Sequence, residues 1–321
     1  MTGVMNRPEV VQFLATHDWI ASVEQLRQLG VTKAALQHAR RTGVVVTPHQ
    51  GIVQVAGTTL SFEGRARLAQ LVAGGEAFVS GPTAGALYGL RQMPRLRVEV
   101  TVLHRRRVVL PTDARLVRTS WLDDERDIVV HPNGMRVASP LRMLFGCAAQ
   151  FNDHRFRLAA EDAWLKRLVT PDDARSYLTM IRRSGRAGVR CMNEWLQRCS
   201  ELSGPAQSGF ELDLIDAIER VGLPTPKRQH PVVLESGEDI HLDIAWPRIR
   251  LALEPGHSWW HGGELRRRRD EARDRACGVV GWQVLRYGED ARRRLQATVN
   301  EIVKLYRRRQ ADLRSWESED R

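Results

Sequence analysis

Cysteine is scarce and scattered: the 321 residues include four, Cys147, Cys191, Cys199 and Cys277, with no C-x-x-C pair. That spacing predicts neither a zinc knuckle nor a disulfide framework and fits a reducing, cytoplasmic compartment. Long apolar runs are missing too. No stretch reaches the roughly 18 apolar residues of a membrane-spanning helix, and Met1–Arg7 lacks the apolar core of a secretory signal. Aromatic residues make up 6%, lysine supplies four of the 49 basic side chains, and no internal repeat or low-complexity tract is visible. What the chain has in quantity is arginine. Its hydrophobic content of 42% supports real cores, and its length suggests two or three domains.

The 49 basic and 38 acidic residues give a formal net charge of +11. The excess is uneven. Residues 205–321 hold 21 basic and 20 acidic side chains, whereas residues 1–204 hold 28 and 18. A positive field of that size favours a polyanion, and DNA is the simplest partner. A solubility charge or arginine-rich codon usage accounts for the same surplus without one.

The first sixty residues carry clear punctuation. Val10, Val11, Phe13 and Leu14 set a helical period over Pro8–His17. Ser22 and Gln25 have capping-box spacing and open a helix over Val23–Leu29, which Gly30 closes. Thr32 caps Lys33–Thr42, closed by Gly43. The β-branched runs Val44–Val46 and Ile52–Val55, joined through Pro48 and Gly51, predict a hairpin. Three short helices and a hairpin read as a winged helix-turn-helix. Its third helix offers Lys33, Gln37, Arg40 and Arg41, with His38, to base edges and phosphates, while Ala34, Leu36 and Ala39 face inward. An ordinary solvated face has the same composition.

Residues 61–200 read as a mixed α+β middle domain. Helices are expected over Arg65–Val72, from Ser80 through Leu90, from Ser139 to Ala149, and over about 154–168, 171–183 and 189–199. Strands are expected over Val98–Val102, Arg115–Thr119, Ile128–Val130 and Met135–Val137. Arg105, Arg106 and Arg107 suit a strand end near phosphate or a solvated loop. The small, polar stretch Ser200–Gln207 marks a boundary. Beyond it, Phe210–Val221, Val232–Leu234, Ile240–Ala245, Ile249–Leu253, about 264–276, Gln283–Tyr287 and Asp290–Arg309 read as helix, three strands, helix, strand and helix, an α/β sandwich over 205–321.

Acids fall in a telling order there. Glu211 lies in the opening helix, Asp243 sits between Leu242 and Ile244 in a strand, and Glu254 ends the next strand. Carboxylates in apolar strands are expensive unless a metal or hydrogen bonds hold them. Three of them suit Mg²⁺ or Mn²⁺, oxygen-seeking ions that assist in-line attack on a phosphodiester. Simpler explanations stand beside this one. Glu211 has capping-box spacing from Ser208, Asp243 and Glu254 can pair with Arg248 or Arg250, and Trp259, Trp260 and Trp282 suit packing as well as base stacking.

The stretch Leu242–Gly263 (LDIAWPRIRLALEPGHSWWHGG), the pairs Arg269-Asp270 and Arg273-Asp274, and Gly281–Arg286 (GWQVLR) resemble the very-short-patch-repair branch of the PD-(D/E)xK nuclease superfamily. The N-terminal pattern, with W-I-x-x-x-x-L and a Gly-Ile-Val wing, resembles the winged helix of AbiEi-type antitoxins. SGPTAGALYGL and ASPLRMLFGCAA are similar to the central region of those proteins. The resemblance implies a restriction-endonuclease-like C-terminal fold, DNA and a cognate toxin as partners, and a metal-dependent endonuclease site. In it Asp243 is the central ligand, with Glu254 and Glu211 beside it. His261, or His257 in its place, assists hydrolysis; Asp270 and Arg273 support the site, and Arg286 faces phosphate. One departure matters. The superfamily's E-x-K lysine is missing, because Pro255 and Gly256 follow Glu254. That leaves two expectations, a DNA-binding endonuclease and a non-enzymatic repressor or antitoxin on a degenerate nuclease fold.

Overall fold

The computed structural model describes residues 4–103, 107–181, 186–200, 208–256 and 263–319, and among them the protein is mixed α/β with three sheets. By contact the chain divides into two compact units, Met1–Ala159 with Asp172–Met192, and Ala160–Pro171 with Asn193–Arg321.

The first unit opens with a 3-10 turn (Val4–Asn6), then α1 (Pro8–Thr16), β1 (Ile20–Ser22), α2 (Val23–Gln28), α3 (Lys33–Arg41), β2 (Val45–His49) and β3 (Ile52–Val55). Local chemistry sets the boundaries. Ser22 Oγ accepts the Gln25 amide at 3.1 Å while Gln25 Oε1 accepts the Ser22 amide at 2.8 Å, a complete capping box. Thr32 Oγ1 accepts the Ala35 amide at 3.2 Å at the head of α3. Gly30 and Gly43, at φ +77° and +70°, let the chain leave α2 and α3 through left-handed turns. Val10, Leu14, Leu26, Leu36, Ala39, Val45 and Val53 close one core. The strand β1 departs from the sequence expectation. It pairs antiparallel with β3 to give the order β1-β3-β2, and it follows Asp18 and Trp19, both in left-handed conformation. Ala34, expected inside, is exposed.

Next come α4 (Phe62–Ala73), β4 (Phe78–Val79), α5 (Gly81–Leu87), β5 (Val98–Leu103), β6 (Ala114–Thr119), α6 (Asp124–Asp127), β7 (Ile128–Val130), β8 (Arg136–Ala138) and α7 (Pro140–Ala148). The five strands order as β6-β5-β4-β8-β7, with β5–β6 and β4–β8 parallel. Leu68 of α4 packs on Ile20 and Ile52, so the N-terminal sheet and this second part share one unit. Arg67, 2% exposed, ties them further by donating to Asp18 Oδ2 at 3.1 Å and to the Asn133 carbonyl at 2.8 Å. Of the arginine triplet only Arg107 lies among the described residues, and it is exposed. Helices α8 (Asp153–Leu165), α9 (Pro171–Ile181) and α10 (Val189–Ser200) follow, and the divide between the units falls inside α8 and α10.

The second unit continues with α11 (Gly209–Arg220), β9 (Lys227–Val233), β10 (Asp239–Trp246), β11 (Leu251–Pro255), α12 (Gly263–Val279), β12 (Gln283–Tyr287), α13 (Glu289–Arg293) and α14 (Leu295–Glu319). Its sheet runs β12-β11-β10-β9, antiparallel except for β11 with β12. One core joins Leu214 and Ile218 of α11, Ile244, Leu251 and Leu253 of the sheet, and Val299 and Ile302 of α14. Another joins Ala245 and Ala252 to Cys277 of α12 and Trp282. Three expectations shift. The strand expected over Val232–Leu234 runs over Lys227–Val233, where it pairs with β10 along its length. The strand expected from Ile249 starts at Leu251, because Pro247–Ile249 form a 3-10 turn that Arg250 closes at φ +47°. The single helix expected over Asp290–Arg309 is broken at Arg294, which leaves the helical region at φ −113°, ψ 41°.

Candidate functional site

Two clusters collect the residues that sequence singled out. On α3, Lys33, Gln37, Arg40 and Arg41 are all exposed, at the i, i+4, i+7, i+8 spacing that makes one helical stripe, while Leu36 and Ala39 are buried. Among the described residues none of these cations has a carboxylate partner; Arg41 Nη2 contacts His38 Nδ1 at 3.2 Å. The hairpin beside them exposes Val46, Thr47 and Pro48.

The second cluster lies on the C-terminal sheet. β10 and β11 pair Ile244 with Leu253, so Asp243 and Glu254 stand side by side one step further along. β11 and β12 pair Glu254 with Arg286. Alternation then puts all three side chains on the face that α12 covers. Asp270, Arg273 and Asp274 lie one turn apart on α12 and meet them there. Arg286 Nη1 is 3.0 Å from Glu254 Oε2, and its Nη2 and Nε donate to the two Asp274 oxygens at 2.7 and 2.8 Å. Asp270 Oδ1 is 3.8 Å from Arg286 Nη1, and Arg273 Nη2 is 3.4 Å from Glu254 Oε1. Asp243 Oδ1 accepts from Gln229 Nε2 at 2.9 Å. Neither Arg248 nor Arg250 serves as the partner of Glu254.

Charge and burial compete here. Burial pushes the Glu254 carboxyl above its usual range; Arg286 and Arg273 pull it down, and the negative charge of Asp243 and Asp274 pushes it up again. For Arg286, burial works against the charged form, but the bond to Asp274 and the charge of Glu254 outweigh it and hold the guanidinium above its usual value.

Glu211 goes elsewhere. Ser208 Oγ accepts the Glu211 amide at 3.1 Å, so the helix is capped, but the Glu211 side chain is buried toward Arg228, with Arg228 Nε 3.7 Å from Glu211 Oε1. Arg228 pairs with Ile244 across the sheet and therefore lies on the α11 face, opposite Asp243 and Glu254. Its Nη2 donates to Glu161 Oε2 of α8 at 2.6 Å, and the Trp195 indole donates to Glu161 Oε1 at 3.4 Å. Sequence reasoning missed Arg228, Glu161 and Gln229, and gave Asp274 no role. A lone arginine in Lys227–His230 has no local signature, since its two carboxylates come from distant helices. His257 and His261 lie outside the described residues. Among the described residues no three metal-ligating side chains converge.

No protein-family model matches the chain. Two curated relatives from Mycobacterium tuberculosis are similar to it: Uncharacterized protein MT2308 (strain CDC 1551 / Oshkosh) and Uncharacterized protein Rv2248 (strain ATCC 25618 / H37Rv). Each is 29% identical over 235 residues, which span 69% of this chain and 78% of the relative. Among solved structures, RV2827C protein from Mycobacterium tuberculosis matches with a TM-score of 0.40 and 18% identity, over 66% of this chain and 81% of that one.

Proposed function

We propose that the chain is a DNA-binding regulatory protein that docks through a winged helix-turn-helix in residues 1–60. The observation that carries this is the α3 stripe. Lys33, Gln37, Arg40 and Arg41 project from a helix whose opposite side is anchored by Leu36 and Ala39, with no carboxylate partner among the described residues to neutralise the cations. A helix so presented matches the width of a major groove, with long donors for base edges and phosphates. The surplus of positive charge in residues 1–204 supports the same reading.

The C-terminal sheet, in this proposal, is a nuclease-like fold that binds without cleaving. Mg²⁺ or Mn²⁺ needs several oxygen ligands on one ion. Glu254 instead has a guanidinium against each oxygen, and Glu211 faces the other side of the sheet. The described residues do not fit such an ion, and no hydrolytic step is assigned to them.

The test is direct. The full chain should bind duplex DNA at about 50 mM salt, with log K falling by about 0.9 per neutralised phosphate as log salt rises. No binding under those conditions removes the proposal. Supercoiled plasmid incubated with Mg²⁺, Mn²⁺ or EDTA should stay intact; metal-dependent nicking that Asp243→Asn abolishes would restore the endonuclease reading.

A further inference from the structure

The rotation of α3 about its own axis is fixed by its cap and its core contacts. Thr32 holds the first turn, and Leu36 and Ala39 are buried in the core of the winged part. At about 3.6 residues per turn, the crest opposite those two carries Ala34 and Gln37, and Arg41 continues it at the C-terminal end. All three are exposed, as are Lys33, His38 and Arg40 on the flanks.

The cations and the neutral groups of this surface differ in what they can do. No residue of α3 is acidic, so nothing on the helix repels phosphate. Arg41 Nη2 donates to His38 Nδ1 at 3.2 Å; arginine has no acceptor, so the ring proton of His38 sits on Nε2. That bond draws the guanidinium toward the His38 flank, away from Gln37. Arg40 and Arg41 both lie in the last turn, and in a reading helix it is the N-terminal residues that meet base edges.

Gln37 stands one turn nearer the N-terminus, and among the described residues its amide has no hydrogen-bond partner. A planar amide offers a donor and an acceptor side by side, the complement of adenine N7 and N6. Ala34, which the sequence pattern places inside, instead puts a bare methyl on the same crest three residues earlier. So small a residue lets the helix come close to the bases, and its methyl suits contact with the C5 methyl of thymine. We propose that Gln37 and Ala34 read one A·T base pair in the major groove, Gln37 bonding adenine and Ala34 touching the thymine methyl. Arg40 and Arg41 hold phosphates beside it. The base preference rests on the DNA-binding function proposed above and adds to it the side chains that give sequence specificity.

The experiment selects duplexes with the full chain from a pool with a randomised centre. The wild type should enrich duplexes that share an A·T pair. Gln37→Ala should lose the preference at that position alone, with affinity for the selected duplex about tenfold lower and the salt slope unchanged. Arg40→Ala/Arg41→Ala should instead weaken binding to all sequences alike and lower the slope. Two altered bases test the wild type itself: 7-deazaadenine, which lacks N7, and uracil, which lacks the methyl. Each should weaken wild-type binding when placed in the selected pair, the first without effect on Gln37→Ala and the second without effect on Ala34→Gly. A wild type that binds duplexes without selecting an A·T pair, or that tolerates 7-deazaadenine there, overturns the base-reading assignment and leaves DNA binding standing. A folded Gln37→Ala variant that keeps the wild-type preference overturns it equally. Failure to bind any duplex removes the function proposed above and the assignment with it.

Discussion

Arg40 and Arg41 in the first unit and Arg228 and Arg286 in the second are the same side chain in opposite settings. The first pair is exposed, and no carboxylate among the described residues answers it. The second pair is buried and bonded to carboxylates from other elements, Arg228 to Glu161 and Arg286 to Glu254 and Asp274. The two halves of the sequence show it in bulk, with a surplus of positive charge up to residue 204 and near balance beyond. Arginine count says little about where a polyanion binds. Whether each guanidinium already has its anion inside the fold says much more.

That contrast can be broken by mutation. Arg228→Met should have the largest effect, because Glu161 and Glu211, both buried, would lose the guanidinium that lies between them; removing one partner of such a set costs about 3–5 kcal/mol. Urea denaturation of the full chain reads this as a lower midpoint, and a loss below about 1 kcal/mol would mean that the network is dispensable. Arg286→Ala should cost about 3 kcal/mol, toward the lower end, because Arg273 stays 3.4 Å from Glu254 and the Asp274 side chain is 32% exposed. Ser22→Ala, which removes half of a capping box next to α3, should cost about 1 kcal/mol by the same measurement.

The smallest effect concerns pH. Burial raises the Glu254 carboxyl above its usual value in the folded state. Such a group stabilises the fold below the ordinary glutamate range, and that contribution is lost as pH rises through the raised value. Measured against Glu254→Gln, the wild type should therefore lose relative stability as pH climbs from about 4 toward neutrality. A relative gain over that range would mean that Arg286 and Arg273 overcome burial.

Elements with local signals were legible in the sequence. The Ser22–Gln25 box, the Thr32 cap and the glycines at 30 and 43 fix α2 and α3 within one or two residues. β1 was not, because three residues after two left-handed ones carry no period, and only pairing with β3 makes them a strand. The break at Arg294 was equally hidden, since its neighbours are good helix formers; there Thr298 Oγ1 bonds back to the Ala291 carbonyl. In the acid cluster the identities of Asp243 and Glu254 were readable, but their partners were not. Arg286 reaches Glu254 only through the parallel pairing of β11 with β12, 32 positions apart in sequence. Glu211 was assigned to the same cluster by its order along the chain, and strand alternation puts its partner Arg228 on the other face.

The cations of α3, which no carboxylate among the described residues answers, are proposed to meet DNA phosphates. The most direct measurement is the salt dependence of duplex binding by the wild type and by Arg40→Ala/Arg41→Ala, whose melting temperatures should agree because both side chains are exposed. Binding by the variant should be weaker at about 50 mM salt, with a log–log slope reduced by about two, one for each lost phosphate contact. An equally stable variant with unchanged affinity and slope would contradict it.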